Sequence, residues 1–380
     1  MRAMRNEMKI SMRQLAILTL LFTVGSAILI VPSGMAATAK QDAWIAALIG
    51  LGAGLLVVWL MTMLIRAFPQ MTLVGILEAL LGKWIGKTVA LMLAASLFLA
   101  GPATVLHDIG EFMTTQMMPE TPILALIILF SIVVLMGLRA GIEVLARSAE
   151  LLFPWFTFLY VSLVVLISFR IEPQHITPVL EMGFAPLWPA ALSFIGVAFL
   201  PHIALLLFLP PAANRPERLT GNFILGSFIG SIMLVIIIAL SILVLGPEIT
   251  ENSLYPSYSL AKKIDIAHFL QRIEVIMAAI WFISLYFRIT LYMMAVVSSL
   301  AQIFNFKDDR PLVLPLGMLL VVTSFIIYPN APFKQAWDTE IWTPYILTVG
   351  LVLPLVLGGV RLLRNMISNK KQPTPPSSRT

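Results

Sequence analysis

The 380-residue chain has no cysteine and little charge. Without cysteine it forms no disulfide, presents no thiolate nucleophile and binds no zinc through sulfur. Its four histidines stand apart at positions 107, 175, 202 and 268, which suggests no metal cluster, so neither metal nor cofactor is expected. No nucleophile–base constellation points to an enzyme. Charged residues make up 12% of the chain, against ~25% in a typical soluble domain. Hydrophobic residues make up 59%, and the mean hydropathy is +0.95. This composition describes an all-α polytopic membrane protein whose main surroundings are the lipid bilayer.

A membrane-crossing helix needs ~20 mostly apolar residues. Ten segments qualify, near 14–33, 43–65, 86–106, 121–138, 148–169, 187–209, 219–246, 274–303, 311–328 and 341–363; they are numbered 1 to 10 below. The basic N-terminus and the Ala37-Thr38-Ala39 triplet imitate a signal peptide. The uncharged run from Gln14 to Ala39 exceeds the ~7–15 residues of a signal core, so it reads as a retained transmembrane helix. With the N-terminus in the cytoplasm, eighteen of the 25 Lys and Arg fall on the inner side and six on the outer side. That asymmetry supports ten transmembrane helices with both termini cytoplasmic. The net charge of +6 is therefore a topology signal, and no nucleic-acid partner is expected.

Long connections follow segments 2 (66–85) and 7 (247–272), which occupy equivalent places if the ten segments form two groups of five. Five is odd, so the second group inserts upside down. The expected organisation is a basic cytoplasmic N-terminus (1–13), a first five-helix repeat (14–169), a connector (170–186), a second repeat (187–363) and a disordered cytoplasmic tail (364–380). Segments 1 and 6 are equivalent too, and both contain helix breakers: Gly25 and Pro32 in one, Gly196 and Pro201 in the other. In a helix interior Gly costs roughly 1 kcal/mol and Pro roughly 3 kcal/mol relative to Ala. Paired interruptions of this kind point to a transporter-type binding site. Packing of small residues is the competing reading.

A broken helix leaves backbone N–H and C=O groups open near the bilayer midplane, tolerated where they line a cavity or meet a ligand. The helix start after Gly25 suits a carboxylate, and unwound carbonyls suit an ammonium, so an amino acid fits both. Segments 1 and 6 contain no Asp or Glu, which favours a neutral amino acid over a cationic one. The candidate ligand-binding residues are Gly25, Ser26 and Ala27 in segment 1 and Ser193, Gly196 and Val197 in segment 6. Gly101 in segment 3 and Thr290 in segment 8 join them.

Several stretches resemble the permease-like B subunits of nutrient germinant receptors, endospore germination proteins of the amino acid–polyamine–organocation superfamily. They are GSAILIVPSGMAATAKQDAW from Gly25, MMPETP at 117–122, GIEVLARSAELLFPWF at 141–156 and FLQRIEVIMAAIW at 269–281. The resemblance runs from about Ser11 to Arg364. It implies a LeuT-type 5+5 inverted repeat with helices 1 and 6 broken, and a germinant-sensing role at the membrane midplane. It also implies residence in the spore inner membrane beside A and C receptor subunits. Ser26 and Ala27 fall at a variable place in that family, so ligand identity does not carry over. A proton-coupled amino-acid transporter and a ligand-gated ion conduit of the same fold remain open.

Arg288 lies inside segment 8, ~20 Å below its outer end at ~1.5 Å per residue. A central Arg costs ~2.5–3.5 kcal/mol to insert, so it needs a partner or water. In sodium-coupled relatives a cation sits between segments 1 and 8. The guanidinium is expected to take that place, with Glu150 as counter-ion; snorkelling to the inner interface is the alternative. Glu143, Arg147 and Glu150 share a helix face at i, i+4 and i+7 and read as an inner gate, a docking surface or a solvated entrance. Pro32, Arg147, Glu150, Pro201 and Arg288 are thus the gating or structural candidates. The stretch Pro247 to Gln271 is expected to act as a lid.

Overall fold

Ser11 opens the first helix. The Gln14 N–H donates to its hydroxyl at 3.2 Å, and its own N–H donates to Gln14 Oε1 at 2.9 Å. This reciprocal cap satisfies two donors that a helix start leaves free. The helix Met12–Val24 stops at Gly25, whose φ of +20° an L side chain rarely adopts. A second helix, Ala27–Ala39, follows. Segment 1 is therefore broken at Gly25 and Ser26, but not at Pro32, which lies inside Ala27–Ala39. A proline has no N–H for the carbonyl four residues back, here that of Ile28. The Ser257 hydroxyl donates to that carbonyl instead, at 2.6 Å. An acceptor freed in one helix is satisfied from a distant part of the chain, and the helix passes through its proline.

The computed structural model describes residues 9–263 and 273–369 and carries helix in each of the ten apolar segments. Among the described residues eight helical stretches are long and apolar enough to cross a membrane; Met12–Val24 and Arg310–Ile326 are shorter apolar helices. Segment 6 is regular α-helix over Leu187–Ala198, so Gly196 sits within the helix and the break comes after it. The tightly wound stretch Leu200–Leu207 starts with Pro201 near its head, and a single turn, Leu209–Ala212, completes the segment. Segments 3 and 10 contain widened π turns at Leu99–Ala103, which holds Gly101 and Pro102, and at Thr348–Val352. Such turns recur at functional sites.

Burial sorts the segments into a centre and a wall. In segment 6 the most apolar window is 83% buried, whereas those of segments 4 and 5 are 28% and 22% buried. Segment 7, Pro216–Leu245, seats closely on segment 1, because a Cβ on Gly230 would lie 2.9 Å from that of Thr23. Segment 5 turns Leu151, Trp155 and Phe158 outward, a face that suits acyl chains and not water.

Both long connections are helical where described. The one after segment 2 forms Leu73–Leu81, capped by Thr72 through the Gly75 N–H. Its apolar side, with Leu73, Ile76, Leu77 and Leu80, is buried. The one after segment 7 forms Pro247–Asn252 and Pro256–Lys262; the rest of the expected lid, residues 264–272, lies outside the described residues. The last helix, Leu353–Asn369, runs past the expected start of a disordered tail at 364. Arg361 and Arg364 hold it there, over the Phe68 ring and on the Ala79 carbonyl. Residues 1–8 of the basic N-terminus and 370–380 of the tail lie outside the described residues.

Candidate functional site

Segment 8 is one helix, Glu274–Ile303, and its Arg288 meets both broken segments. The residue is 1% exposed. Nη1 donates to the Phe22 carbonyl and Nη2 to the Val197 carbonyl, each at 3.0 Å. Both carbonyls are free for the same reason. They fall in the last turn of Met12–Val24 and of Leu187–Ala198, where a helix leaves its final C=O groups without internal partners. The guanidinium also lies 5.2 Å from the centre of the Phe22 ring and 5.8 Å from that of Tyr292, within cation–π range. Ser284, one turn earlier, donates to the Gly25 carbonyl at 3.4 Å.

The expected pairing of Arg288 with Glu150 is replaced by these carbonyls. Glu150 accepts from Gln14 Nε2 at 3.0 Å and lies 3.5 Å from Arg13. Two helix C-terminal ends already present partial negative charge to the guanidinium, so it needs no carboxylate. Arg147 pairs with Glu143, so the three-residue run makes one internal ion pair and sends Glu150 to the first helix.

Gly25, Val197 and Arg288 come together. A Cβ on Gly25 would overlap the Arg288 side chain and lie 2.8 Å from Nη1. Ser26 and Ala27 are buried beside the break. Gly101 packs against the Tyr292 ring, with 3.0 Å between a Cβ there and the ring edge. Gly196 faces segment 10, with Ile346 Cγ2 at 3.6 Å, Trp342 Nε1 at 3.7 Å and Thr343 Oγ1 at 3.9 Å from a Cβ position. Trp342 Nε1 is buried and has no hydrogen-bond partner among the described residues. Ser193 lies further along, opposite Gly34, and the Thr290 hydroxyl donates back to the Tyr286 carbonyl at 2.6 Å. Phe22, Tyr292, Trp342 and Ser257 are parts of this region that the sequence reading missed. Tyr292 follows Arg288 by four residues and shares its helix face, a signal available from spacing; Trp342 and Ser257 carry no such signal.

Pro201 is buried at the head of its tight stretch, and His202 beside it is fully buried. Its Nδ1 lies 2.7 Å from the Phe199 carbonyl, and its Nε2 lies 3.0 Å from Thr23 Oγ1 and 3.2 Å from Ser227 Oγ. The histidine thereby ties segment 6 to segments 1 and 7. Lys334 of the short helix Ala331–Ala336 sits between Asp108, at 2.8 Å, and Glu111, which ties the stretch ahead of segment 10 to the helix Thr104–Phe112 at the end of segment 3. Lys40 and Glu251 pair across the end of Ala27–Ala39, and the Ser33 hydroxyl donates to the Glu251 carbonyl at 3.1 Å. Among the described residues no group of three His, Asp or Glu is placed to hold a metal ion.

The spore germination protein family profile matches residues 9–332. The chain belongs to the spore germination permease family. Spore germination protein KB of Bacillus subtilis (strain 168) is 30% identical over 329 residues, covering 85% of this chain and 86% of that protein. The putative spore germination protein YfkT of the same organism is 29% identical over 342 residues, covering 89% and 92%. Among solved structures, the nucleobase-cation-symport-1 family transporter Mhp1, closed with bromovinylhydantoin bound, aligns with a TM-score of 0.69. It shares 14% identity, over 92% of this chain and 78% of that one. MhsT in complex with L-phenylalanine aligns with a TM-score of 0.62 at 14% identity, over 94% and 99%. This spore germination permease is thus a multi-pass membrane protein with the LeuT-type fold, and its family and structural neighbours are permeases and transporters.

Proposed function

We propose that the protein is the permease-like subunit of a spore germinant receptor, which binds a small nutrient at the meeting of segments 1 and 6 and triggers germination. The observation that carries this reading is the convergence of two helix breaks on one buried guanidinium. Such a junction holds polar backbone near the midplane and can shift between arrangements as its contacts change. A neutral amino acid fits the chemistry. Segments 1 and 6 offer no carboxylate for a cationic side chain, and the unpartnered Trp342 Nε1 beside Gly196 can donate to a ligand carboxylate. Gly25, Ser26, Ala27, Gly101, Ser193, Gly196, Val197 and Thr290 form the proposed ligand region; Pro32, Arg147, Glu150, Pro201 and Arg288 form the proposed gating set.

In this reading Arg288 is a tethered cation that pins the inner half of segment 1 to segment 6. The outer half of segment 1 is held by Ser257 and Lys40–Glu251, so the lid reports on the ligand. The subunit works in the spore inner membrane, with both termini cytoplasmic and with A and C subunits as partners. The test is reconstitution of the full chain in proteoliposomes, with binding and uptake of labelled amino acids measured beside ion flux. Saturable binding with no concentrative uptake supports a sensing subunit. Concentrative uptake by the chain alone makes it a transporter, the reading to which the two solved transporter structures lend weight. Ligand-dependent ion flux without uptake makes it a conduit.

A further inference from the structure

Away from the midplane, a polar cleft of about 330 Å³ opens between three elements. It is lined by Ala67 and Phe68 at the end of segment 2, Ala79 and Leu80 on Leu73–Leu81, and Arg361, Arg364 and Asn365 on Leu353–Asn369. The site just described uses none of these residues. Arg361 lies with its guanidinium carbon 5.7 Å from the centre of the Phe68 ring. Arg364 donates through Nη1 to the Ala79 carbonyl at 2.8 Å. Each side chain is thus steered by the cleft wall. Among the described residues neither guanidinium pairs with a carboxylate, and Glu78, next to Ala79, makes no ion pair with either. Two adjacent, positioned and unneutralised guanidiniums recognise a phosphate, which their planar forks can hold in bidentate fashion.

The surroundings decide between a free phosphate and one carried by lipid. Arg361, Arg364 and Asn365, at i, i+3 and i+4, line the cleft from one face of their helix. The neighbouring face carries Leu362, Leu363 and Met366, all more than 60% exposed. Trp84, 86% exposed, and Ile85, 63% exposed, stand just beyond Leu73–Leu81; an outward Trp beside an amphipathic helix marks the headgroup level of a membrane. A phosphate held by the two arginines therefore has an apolar surface beside it along which acyl chains can lie. Basic pockets between membrane helices on the cytoplasmic side bind anionic headgroups in this manner, and the basic-residue asymmetry of the sequence places this end of the bundle there. We propose that the cleft is a binding site for the phosphate of an anionic phospholipid of the inner leaflet, held by Arg361 and Arg364 with Asn365 at its edge.

The test uses the full chain in neutral detergent, titrated with phosphatidylglycerol, phosphatidylcholine or inorganic phosphate, with binding counted by native mass spectrometry. One saturable phosphatidylglycerol site is expected, with phosphatidylcholine and inorganic phosphate bound roughly tenfold more weakly or worse. The double variant Arg361→Gln/Arg364→Gln should lose roughly tenfold or more of that affinity, whereas Arg139→Gln, outside the cleft, should keep it. Arg364→Lys, which retains charge but not the planar fork, should fall between them and guards against a folding defect in the double variant. Equal binding of phosphatidylglycerol and phosphatidylcholine overturns the proposal. So does inorganic phosphate binding as tightly as the lipid, which would make the cleft a site for the free ion, or phosphatidylglycerol affinity indifferent to both cleft variants.

Discussion

Gly25 in segment 1 and Gly196 in segment 6 both lie close to a helix break, yet they do different work. Gly25 has a positive φ and lies under the Arg288 side chain, so its missing Cβ is space already filled. Gly196 lies within a regular helix, and its missing Cβ leaves ordinary van der Waals distances to Trp342, Thr343 and Ile346 of segment 10. One glycine lets a guanidinium reach two helix ends; the other keeps a wall shallow. The same residue type thus marks a joint in one broken segment and a packing surface in the other.

The comparison can be broken most severely at Arg288. Arg288→Leu should leave the Phe22 and Val197 carbonyls unpaired and destabilise the fold by roughly 3 kcal/mol or more. A thermal-unfolding assay on the detergent-solubilised protein should record a clear fall in midpoint, together with loss of nutrient-triggered germination. Arg288→Lys, which can keep one of the two bonds, should lie between Leu and the parent. Gly25→Ala comes next. A positive φ costs an L residue about 1–2 kcal/mol, and the methyl would push Arg288 off at least one carbonyl. A midpoint as low as that of Arg288→Lys is the expected result, and an unchanged midpoint would end the claim that Gly25 exists to admit Arg288.

Smaller effects sharpen the contrast. Ser257→Ala removes the donor to the Ile28 carbonyl and should cost about 1 kcal/mol. It should also raise the labelling rate of a cysteine placed at Ser259, because the lid loses a tie to segment 1. Gly196→Ala should be neutral to stability, or raise it by up to ~1 kcal/mol as Gly→Ala does inside a helix. Its signature is a weakened germination response at normal protein abundance. If Gly196→Ala lowers the melting midpoint as far as Gly25→Ala does, the two glycines are equivalent after all.

Much of the fold was legible, and for a physical reason. In a bilayer every backbone group must be satisfied within the chain, so apolar length alone announces helices, and all ten expected segments carry helix. Gly25 was readable as a break because few residues tolerate its conformation. Pro32 was misleading, since the fate of a proline kink depends on whether another element supplies the missing donor, and Ser257 lies far away in sequence. The choice of partner for Arg288 was hidden for a related reason. A sequence displays carboxylates as letters, whereas the carbonyls of two helix ends become acceptors only when the ends are brought together. The π turn around Gly101 and the orphaned Trp342 Nε1 likewise belong to three-dimensional packing and leave no pattern in the sequence.

The two hydrogen bonds of Arg288 also bear on the source of free energy for any response. A diffusible cation in that position would link the state of the helices to a concentration gradient, because it enters and leaves. A charge tethered to segment 8 does neither, so at this position the helices are coupled to no cation gradient. In the proposed sensing role the balance between arrangements shifts through the difference in ligand affinity between them, and a ligand must favour one state ~10⁴-fold to turn a 1:99 population into 99:1. In that role the response would draw on nutrient concentration and on no cation bound between segments 1 and 8.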